Sequence, residues 1–329
     1  MNNTLVSIAV TTYNQQDYIA QTMDGLLMQQ TNFKFVIVVG EDCSTDNTIQ
    51  ILETYKKKNP SKIQLLNFDK NYGSDLNLLR TIKACTGKFI AICDGDDYWI
   101  DTHKLQKQVD FLESNEGYGT VATLQKDFIQ DKGIFIAENN SYTETYKTIA
   151  FKQLLFKNYI TASTVLFRRS LMLSFIDFYE KQNAISFNDY NFFLFFAHQM
   201  QVAQRNEISI VYRVLSESGS RSKDAKKIWS FKKRFNNAIN IYLDFFDVDS
   251  KLKKKVLHYR AITNYRFASR SGDRMVCTEF LEVFKNNNDT IRYFLLKNGM
   301  EYKAWNRFAL FVEKVNLKFG GFLLKKVEI

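Results

Sequence analysis

The stretch Phe89-Ile90-Ala91-Ile92-Cys93-Asp94-Gly95-Asp96-Asp97-Tyr98-Trp99 opens as an apolar run and ends in three carboxylates. Five apolar residues in succession, punctuated by Gly87 and Gly95, are too few for a free-standing helix and read as a buried strand of a parallel sheet. Such a strand delivers Asp94, Asp96 and Asp97 to one edge. Carboxylates this close repel one another unless a cation neutralises them, and hard cations such as Mg²⁺ or Mn²⁺ take carboxylate oxygens together with the phosphates of a ligand. A metal–diphosphate site is one reading. Asp-Gly is also a common turn pair, and a solvated turn is the other.

Upstream, the same composition recurs. Leu5–Thr12 is β-branched and apolar, Tyr13-Asn14 breaks it, and a helical pattern runs from Asp17 to Met28. Phe35–Val39 is a second buried strand that closes in Gly40-Glu41-Asp42-Cys43-Ser44-Thr45-Asp46-Asn47-Thr48, with Asp46 expected to cap a helix through Tyr55. Ile63–Asn67 makes a third strand, Asn71-Tyr72-Gly73 turns the chain into a helix near Asp75–Ala84, and Lys88–Cys93 is the fourth strand. Strands alternating with helices predict an α/β fold whose parallel sheet binds ligands beyond the carboxyl ends of its strands. Thr11–Asn14, Glu41–Ser44, Asn71–Gly73 and Asp94–Asp97 all fall at such ends. The first two loops lack G-x-G-x-x-G, and G-x-x-x-x-G-K-[ST] occurs nowhere, which excludes dehydrogenase and P-loop readings. A phosphate ligand must then be held by metal and side chains.

Four stretches in order, Val6–Asn14, Val38–Thr48, Asn71–Gly73 and Gly87–Trp99, resemble the family 2 glycosyltransferases. The resemblance implies a GT-A-type, Rossmann-like, mainly parallel sheet flanked by helices, with a smaller mixed sheet. It implies a UDP-sugar donor and Mn²⁺ or Mg²⁺ as cofactor. By position, Asp42 corresponds to the carboxylate that contacts the nucleobase, with Thr11 and Tyr13 flanking the base. A carboxylate that accepts the imide N–H of uracil discriminates against bases lacking that donor. Asp94 and Asp96 match the D-x-D motif, the first meeting ribose or sugar and the last the metal, with Asp97 a second candidate ligand. Asn71 joins the nucleotide-sugar residues, and Arg80 is a candidate for phosphate or sugar contact or an exposed helix arginine.

Asp189, in Ser186-Phe187-Asn188-Asp189-Tyr190, heads an apolar run Asn191–Ala197, where an aspartate is first of all an N-cap. The resemblance places the catalytic base at such a helix start, with Asn188 replacing the usual preceding acid. Ile208–Leu215 resembles the closing strand of the domain, where many relatives read Tyr-Arg-x-His and this chain has Leu215. Arg221, in a Ser/Gly loop, is a candidate lid over the diphosphate. Between these, Thr102–Ser114 reads as an amphipathic helix, Gly119–Thr123 and Gly133–Ile136 as strands of the smaller mixed sheet, Ile149–Phe156 as helix and Thr161–Phe167 as a β-rich run.

The composition fits one catalytic domain over residues 1–222 and a basic helical region over 223–329. The chain has 329 residues, 45% of them hydrophobic, and with 29 Phe, a single Pro and 13 Gly it reads as globular and without linkers. From Ala225 onward 22 Lys and Arg face 10 Asp and Glu, against 23 and 25 before it, so the net charge of +10 belongs to the last third. Helical patterns at Ile228–Phe246, Lys251–Ser269, Arg274–Lys285 and Tyr302–Phe319 carry this charge. An anionic membrane surface is the expected partner of that region, nucleic acid is not, and ordinary solvated helix faces are the alternative. Cys43, Cys85, Cys93 and Cys277 show no pairing or zinc spacing, and no segment stays apolar for the ~20 residues of a membrane span. The expectation is a cytoplasmic enzyme, peripheral at the inner face of the membrane. It would transfer a hexosyl or N-acetylhexosaminyl group to a glycan or lipid-linked saccharide. A non-catalytic sugar-nucleotide-binding relative and a basic membrane-surface-binding protein are the other readings.

Overall fold

The computed structural model describes residues 4–67, 69–137, 144–182, 185–216 and 224–289, together with 293 and 297. The chain divides into two compact units, Met1–Ser216 and Glu217–Ile329.

In the first unit, β1 (Thr4–Thr12), β2 (Lys34–Glu41), β3 (Ile63–Leu65) and β4 (Phe89–Asp94) alternate with α1 (Ile19–Leu27), α2 (Thr48–Lys58) and α3 (Ser74–Ala84). The strands pair in parallel in the order β3-β2-β1-β4. β1 and β4 lie between neighbours and carry unbroken buried runs, as expected of strands covered on both faces. Val6, Ile8 and Val10 pack with Met23, Leu26, Ile37, Leu52 and Phe89 in one core.

The sheet continues beyond β4. β5 (Tyr98–Trp99), α4 (Lys104–Ser114), β6 (Tyr118–Ile129), β7 (Ile134–Ala137), β8 (Tyr146–Ile149), α5 (Phe151–Leu154), β9 (Leu166–Arg168), α6 (Arg169–Lys181), α7 (Asp189–Gln199) and β10 (Gln201–Val214) follow in chain order. β9 joins β4 and β6 antiparallel, and β10 runs parallel to β6. The mixed part is thus a continuation of the same ten-stranded sheet. Two local expectations change. Tyr146–Ile149 is a strand antiparallel to β10, which leaves only Phe151–Leu154 helical. The Thr161–Phe167 run is a 3₁₀ turn over Ala162–Thr164 followed by β9, because Thr164 Oγ1 donates to Thr161 O at 2.7 Å and holds the backbone out of the ladder.

α7 is buried from Tyr190 to Phe196, all round its circumference. Phe167, Phe175 and Phe187 pack edge-on or tilted against Phe192 and Phe196 of the helix. The helix is thereby fixed and its first residue held in place.

In the second unit, α8 (Ala225–Phe245), α9 (Ser250–Ser271) and α10 (Arg274–Asn286) each start on an aspartate cap. Asp224, Asp249 and Asp273 accept from the backbone N–H groups of Lys226, Leu252 and Val276. Trp229, Ala261, Tyr265, Cys277, Leu281 and Phe284 form the core. The helix expected over Tyr302–Phe319 lies outside the described residues. Among those described, no helix is long and apolar enough to cross a membrane.

Candidate functional site

Thr11 is the pivot of the edge. In register it faces Gly40 on β2 and Asp94 on β4, so the segment after β2 and the end of β4 flank the end of β1. The strand order turns between β1 and β4, the switch point at which α/β sheets open a crevice.

On the β2 side, Asp42 is 3% exposed, and its two oxygens accept from the backbone N–H groups of Tyr72 at 2.7 Å and Gly73 at 3.0 Å. Asn71 returns the tie, its Nδ2 donating to Asp42 O at 3.0 Å. Gly73 has φ +78°, which a residue with a Cβ rarely adopts. The Asn71-Tyr72-Gly73 turn therefore holds the Asp42 carboxylate. Arg80, left by the sequence between ligand contact and an ordinary helix arginine, has partners within the protein. Its Nε donates to Asn77 Oδ1 at 2.9 Å, its Nη atoms to Asn67 O and Glu41 O, and its guanidinium stacks 4.4 Å from the Tyr72 ring centroid. It braces the Asp42 loop and does not extend as a free cation toward a phosphate. Tyr13 stands 46% exposed beside this loop, and Asn14, in the left-handed region at φ +51°, accepts from Thr45 N at 2.8 Å.

On the β4 side the three aspartates part company. Asp94 and Asp96 are half-buried, while Asp97 is fully buried and turned inward. Asp97 Oδ2 accepts from Ser163 Oγ at 2.6 Å, and Oδ1 accepts from Arg213 N at 2.9 Å. Asp97, a second candidate ligand by sequence, thus has both oxygens on protein donors and no exposed surface. Burial, then the charges of Asp96 and Asp94, hold its pKa well above the ordinary carboxylate value. Asp94 is pushed up to about 7, first by desolvation, then by the charges of Asp96 and Asp189, with Thr11 Oγ1 opposing from 3.5 Å. Desolvation also raises Asp96, against the Arg213 charge and a hydrogen bond from Gln15. Gly95 is obligatory between them, because a Cβ would lie 2.7 Å from Thr12 Cβ.

Asp189 begins α7, yet it is not the cap. Asn188 is, its side chain accepting from Asn191 N at 3.1 Å. Asp189 Oδ1 accepts from its neighbour Tyr190 N at 2.8 Å. A helix N-terminus favours the charged carboxylate by about 0.3–1 kcal/mol. Desolvation outweighs it and sets the Asp189 pKa at about 6.

Sequence reasoning missed two residues that knit this group. Ser163 Oγ accepts from Asp94 N at 3.1 Å while donating to Asp97, and Ser163 O accepts from Trp99 Nε1 at 3.1 Å. Arg213 is 6% exposed, and its Nε donates to Asp96 O at 2.8 Å, with Nη1 and Nη2 on Gln130 and Gln21. Leu215 follows two residues later, half-buried. Arg221 lies outside the described residues. Asp97→Ala would leave the Ser163 hydroxyl and the Arg213 N–H unpaired in the interior, at about 1–3 kcal/mol for each. A loss of about 2–4 kcal/mol in urea unfolding is the expected result; less than about 0.5 kcal/mol would show that both donors find other partners.

The donor set fits a hard cation. Asp96 offers a partly exposed carboxylate, and among the described residues no group of three or more His, Cys, Asp and Glu converges. One or two protein carboxylates, completed by diphosphate and water, are the usual complement of Mg²⁺ or Mn²⁺ in nucleotide sites.

Residues 7–174 match the family described as Glycosyl transferase family 2. The chain belongs to that family. An uncharacterized protein of Mycobacterium tuberculosis is 30% identical over 168 residues, which are 50% of this chain and 47% of that one. The chain thus spans about half the length of the curated relatives it matches first. The poly(ribitol-phosphate) beta-N-acetylglucosaminyltransferase TarS of Staphylococcus aureus is 31% identical over 130 residues, 39% of this chain and 22% of TarS. The crystal structure of TarS residues 1–349 with UDP-GlcNAc superposes with a TM-score of 0.67 at 17% identity, covering 96% of this chain and 92% of that one. The mannosyltransferase PcManGT of Pyrobaculum calidifontis, solved with GDP-Man and Mn²⁺, gives 0.53 at 15% identity over 98% and 88%. The fold is therefore GT-A-like, and one fold carries both uridine and guanosine donors.

Proposed function

We propose that the chain is a metal-dependent, inverting glycosyltransferase that moves a sugar from a UDP-sugar to a hydroxyl of a glycan or lipid-linked saccharide. The observation that carries this reading is the register at Thr11, which sets Asp42 on one side of the switch point and Asp94 with Asp96 on the other. Nucleobase and diphosphate then have separate places along one edge. Since the fold alone admits more than one nucleotide, the preference for UDP rests on Asp42: Tyr72 N and Gly73 N each engage one of its oxygens, and a remaining lone pair would accept the N3–H of uracil. TarS, with bound UDP-GlcNAc, supports the same assignment.

Asp189 would act as the base. Its charge is close enough to raise the Asp94 pKa, so it stands near the place where the donor's sugar would lie. As the acceptor oxygen attacks the anomeric carbon, the bond from that carbon to the diphosphate oxygen breaks, UDP leaves with the electron pair, and the acceptor proton passes to Asp189. Single displacement inverts the anomer. A divalent cation held by Asp96 would offset the charge that grows on the leaving UDP. Arg213 and Ser163 keep Asp96 and Asp94 in position through their main chains.

A thermal-shift panel of nucleotide sugars with Mn²⁺ or Mg²⁺ tests the donor. A ligand at a hundredfold its Kd stabilises by about 2.7 kcal/mol, so UDP-sugars should raise the transition clearly above GDP-sugars. If GDP-sugars stabilise as well as UDP-sugars, Asp42 does not read the base.

A further inference from the structure

The second unit holds a cluster of cations that the glycosyl-transfer reading does not use. Lys232 on α8 and Arg266 on α9 share one aromatic ring: Lys232 Nζ and Arg266 Cζ each lie 4.6 Å from the Phe267 centroid. They are therefore no further apart than twice that distance. Arg266 Nε is buried and has no hydrogen-bond partner. Arg260, 8% exposed on the same helix, adds a third charge and directs Nη1 toward Asn236 Oδ1 at 3.5 Å. That oxygen also accepts from Asn264 Nδ2 at 3.3 Å, so the amides link α8 and α9 here.

Three other lysines of this unit pair with carboxylates, Lys233 with Asp273, Lys253 with Asp244 and Lys285 with Glu282. Among the described residues none of these ion pairs includes Lys232 or Arg266. Desolvation, then the charges of Arg266 and Arg260, depress the Lys232 pKa, so the group carries an uncompensated electrostatic cost. An anion would remove it.

We propose that Lys232 and Arg266 form a binding site for a phosphate group, as a monoester or diester. Two charge-assisted hydrogen bonds of ~2.8 Å across the edge of a phosphate bridge cations up to roughly 8 Å apart, and the shared ring keeps Lys232 and Arg266 within twice 4.6 Å of each other. Guanidinium suits such an anion through its fork of donors. The site lies within the helical unit and does not depend on the reading of the catalytic edge.

The probe is inorganic phosphate, titrated calorimetrically into the full chain in chloride buffer with EDTA. The Lys232→Gln/Arg266→Gln double variant is expected to weaken phosphate binding at least about tenfold, whereas Lys254→Gln, exposed elsewhere on α9, binds it as the wild type does. Equal binding by the double variant, or no binding by the wild type, overturns the site. Circular dichroism checks folding, and Lys232→Gln alone serves, with the same expectation, if the double variant does not fold. Co-sedimentation with phosphatidylglycerol vesicles, against phosphatidylcholine vesicles, then separates the sources. Retention that the double variant loses identifies a lipid headgroup; no retention, with phosphate bound, identifies a soluble phosphate ester.

Discussion

Asp189→Asn is expected to lower the rate of sugar transfer by about two to four orders of magnitude while UDP-sugar affinity stays near the wild-type value. The amide keeps the size of the carboxylate but cannot take the acceptor proton. The helix start does not depend on Asp189, because Asn188 caps α7 through Asn191 N. A fall in kcat cannot then be ascribed to a frayed helix, and Asn188→Ala, expected to cost about 1 kcal/mol of stability, is the matching control. Turnover by Asp189→Asn at the wild-type rate would leave Asp189 without a role in the proton transfer.

The same residue sets a pH dependence. Desolvation raises the Asp189 pKa to about 6, and the base works deprotonated. Its active fraction therefore falls about tenfold per unit below that pKa and is nearly complete above it. The profile of kcat/KM should rise through pH 6 and level off toward neutrality. A rate that stays flat down to pH 4.5 would require a base with an ordinary carboxylate pKa.

What was legible in the chain follows from where the physics is local. β1, β2 and β4 are buried on both faces, so their apolar runs identify them without knowledge of their partners. The loops after them are polar because they line an edge, which is why Thr11, Asp42, Asn71 and Asp94 could be grouped from spacing alone. The partners of Arg80 and Asp97 are not legible for one reason: charge is visible in a sequence, but its internal partners are not. Arg80 spends its donors on Asn77, Asn67 O and Glu41 O, and Asp97 its oxygens on residues 66 and 116 positions away. Ser163 was hidden within a β-rich run because a short hydroxyl side chain gives no period of its own. The tyrosine–arginine pair at Tyr212-Arg213 is the one signal in the sequence for Arg213.

Removal of divalent cations should lower UDP affinity by at least about a hundredfold. On the proposed reading the diphosphate meets half-buried Asp94 and Asp96, and unit charges about 4 Å apart interact by about 4 kcal/mol at an effective dielectric constant of 20. A repulsion of that size exceeds the roughly 2.7 kcal/mol that a hundredfold in affinity represents. Partial protonation of Asp94, whose pKa is about 7, relieves only some of it near neutrality. With Mn²⁺ or Mg²⁺ present the sign of the local field reverses, and the same carboxylates become the means of holding the nucleotide. Asp96→Ala should then abolish the metal-dependent part of UDP binding while Asp97, turned inward toward Ser163 and Arg213, keeps the turn folded. Calorimetric titration of UDP in Mn²⁺ and in excess EDTA separates the cases. Equal affinity in the two would mean that the carboxylates at the end of β4 do not meet the diphosphate, and the metal would have to leave the mechanism.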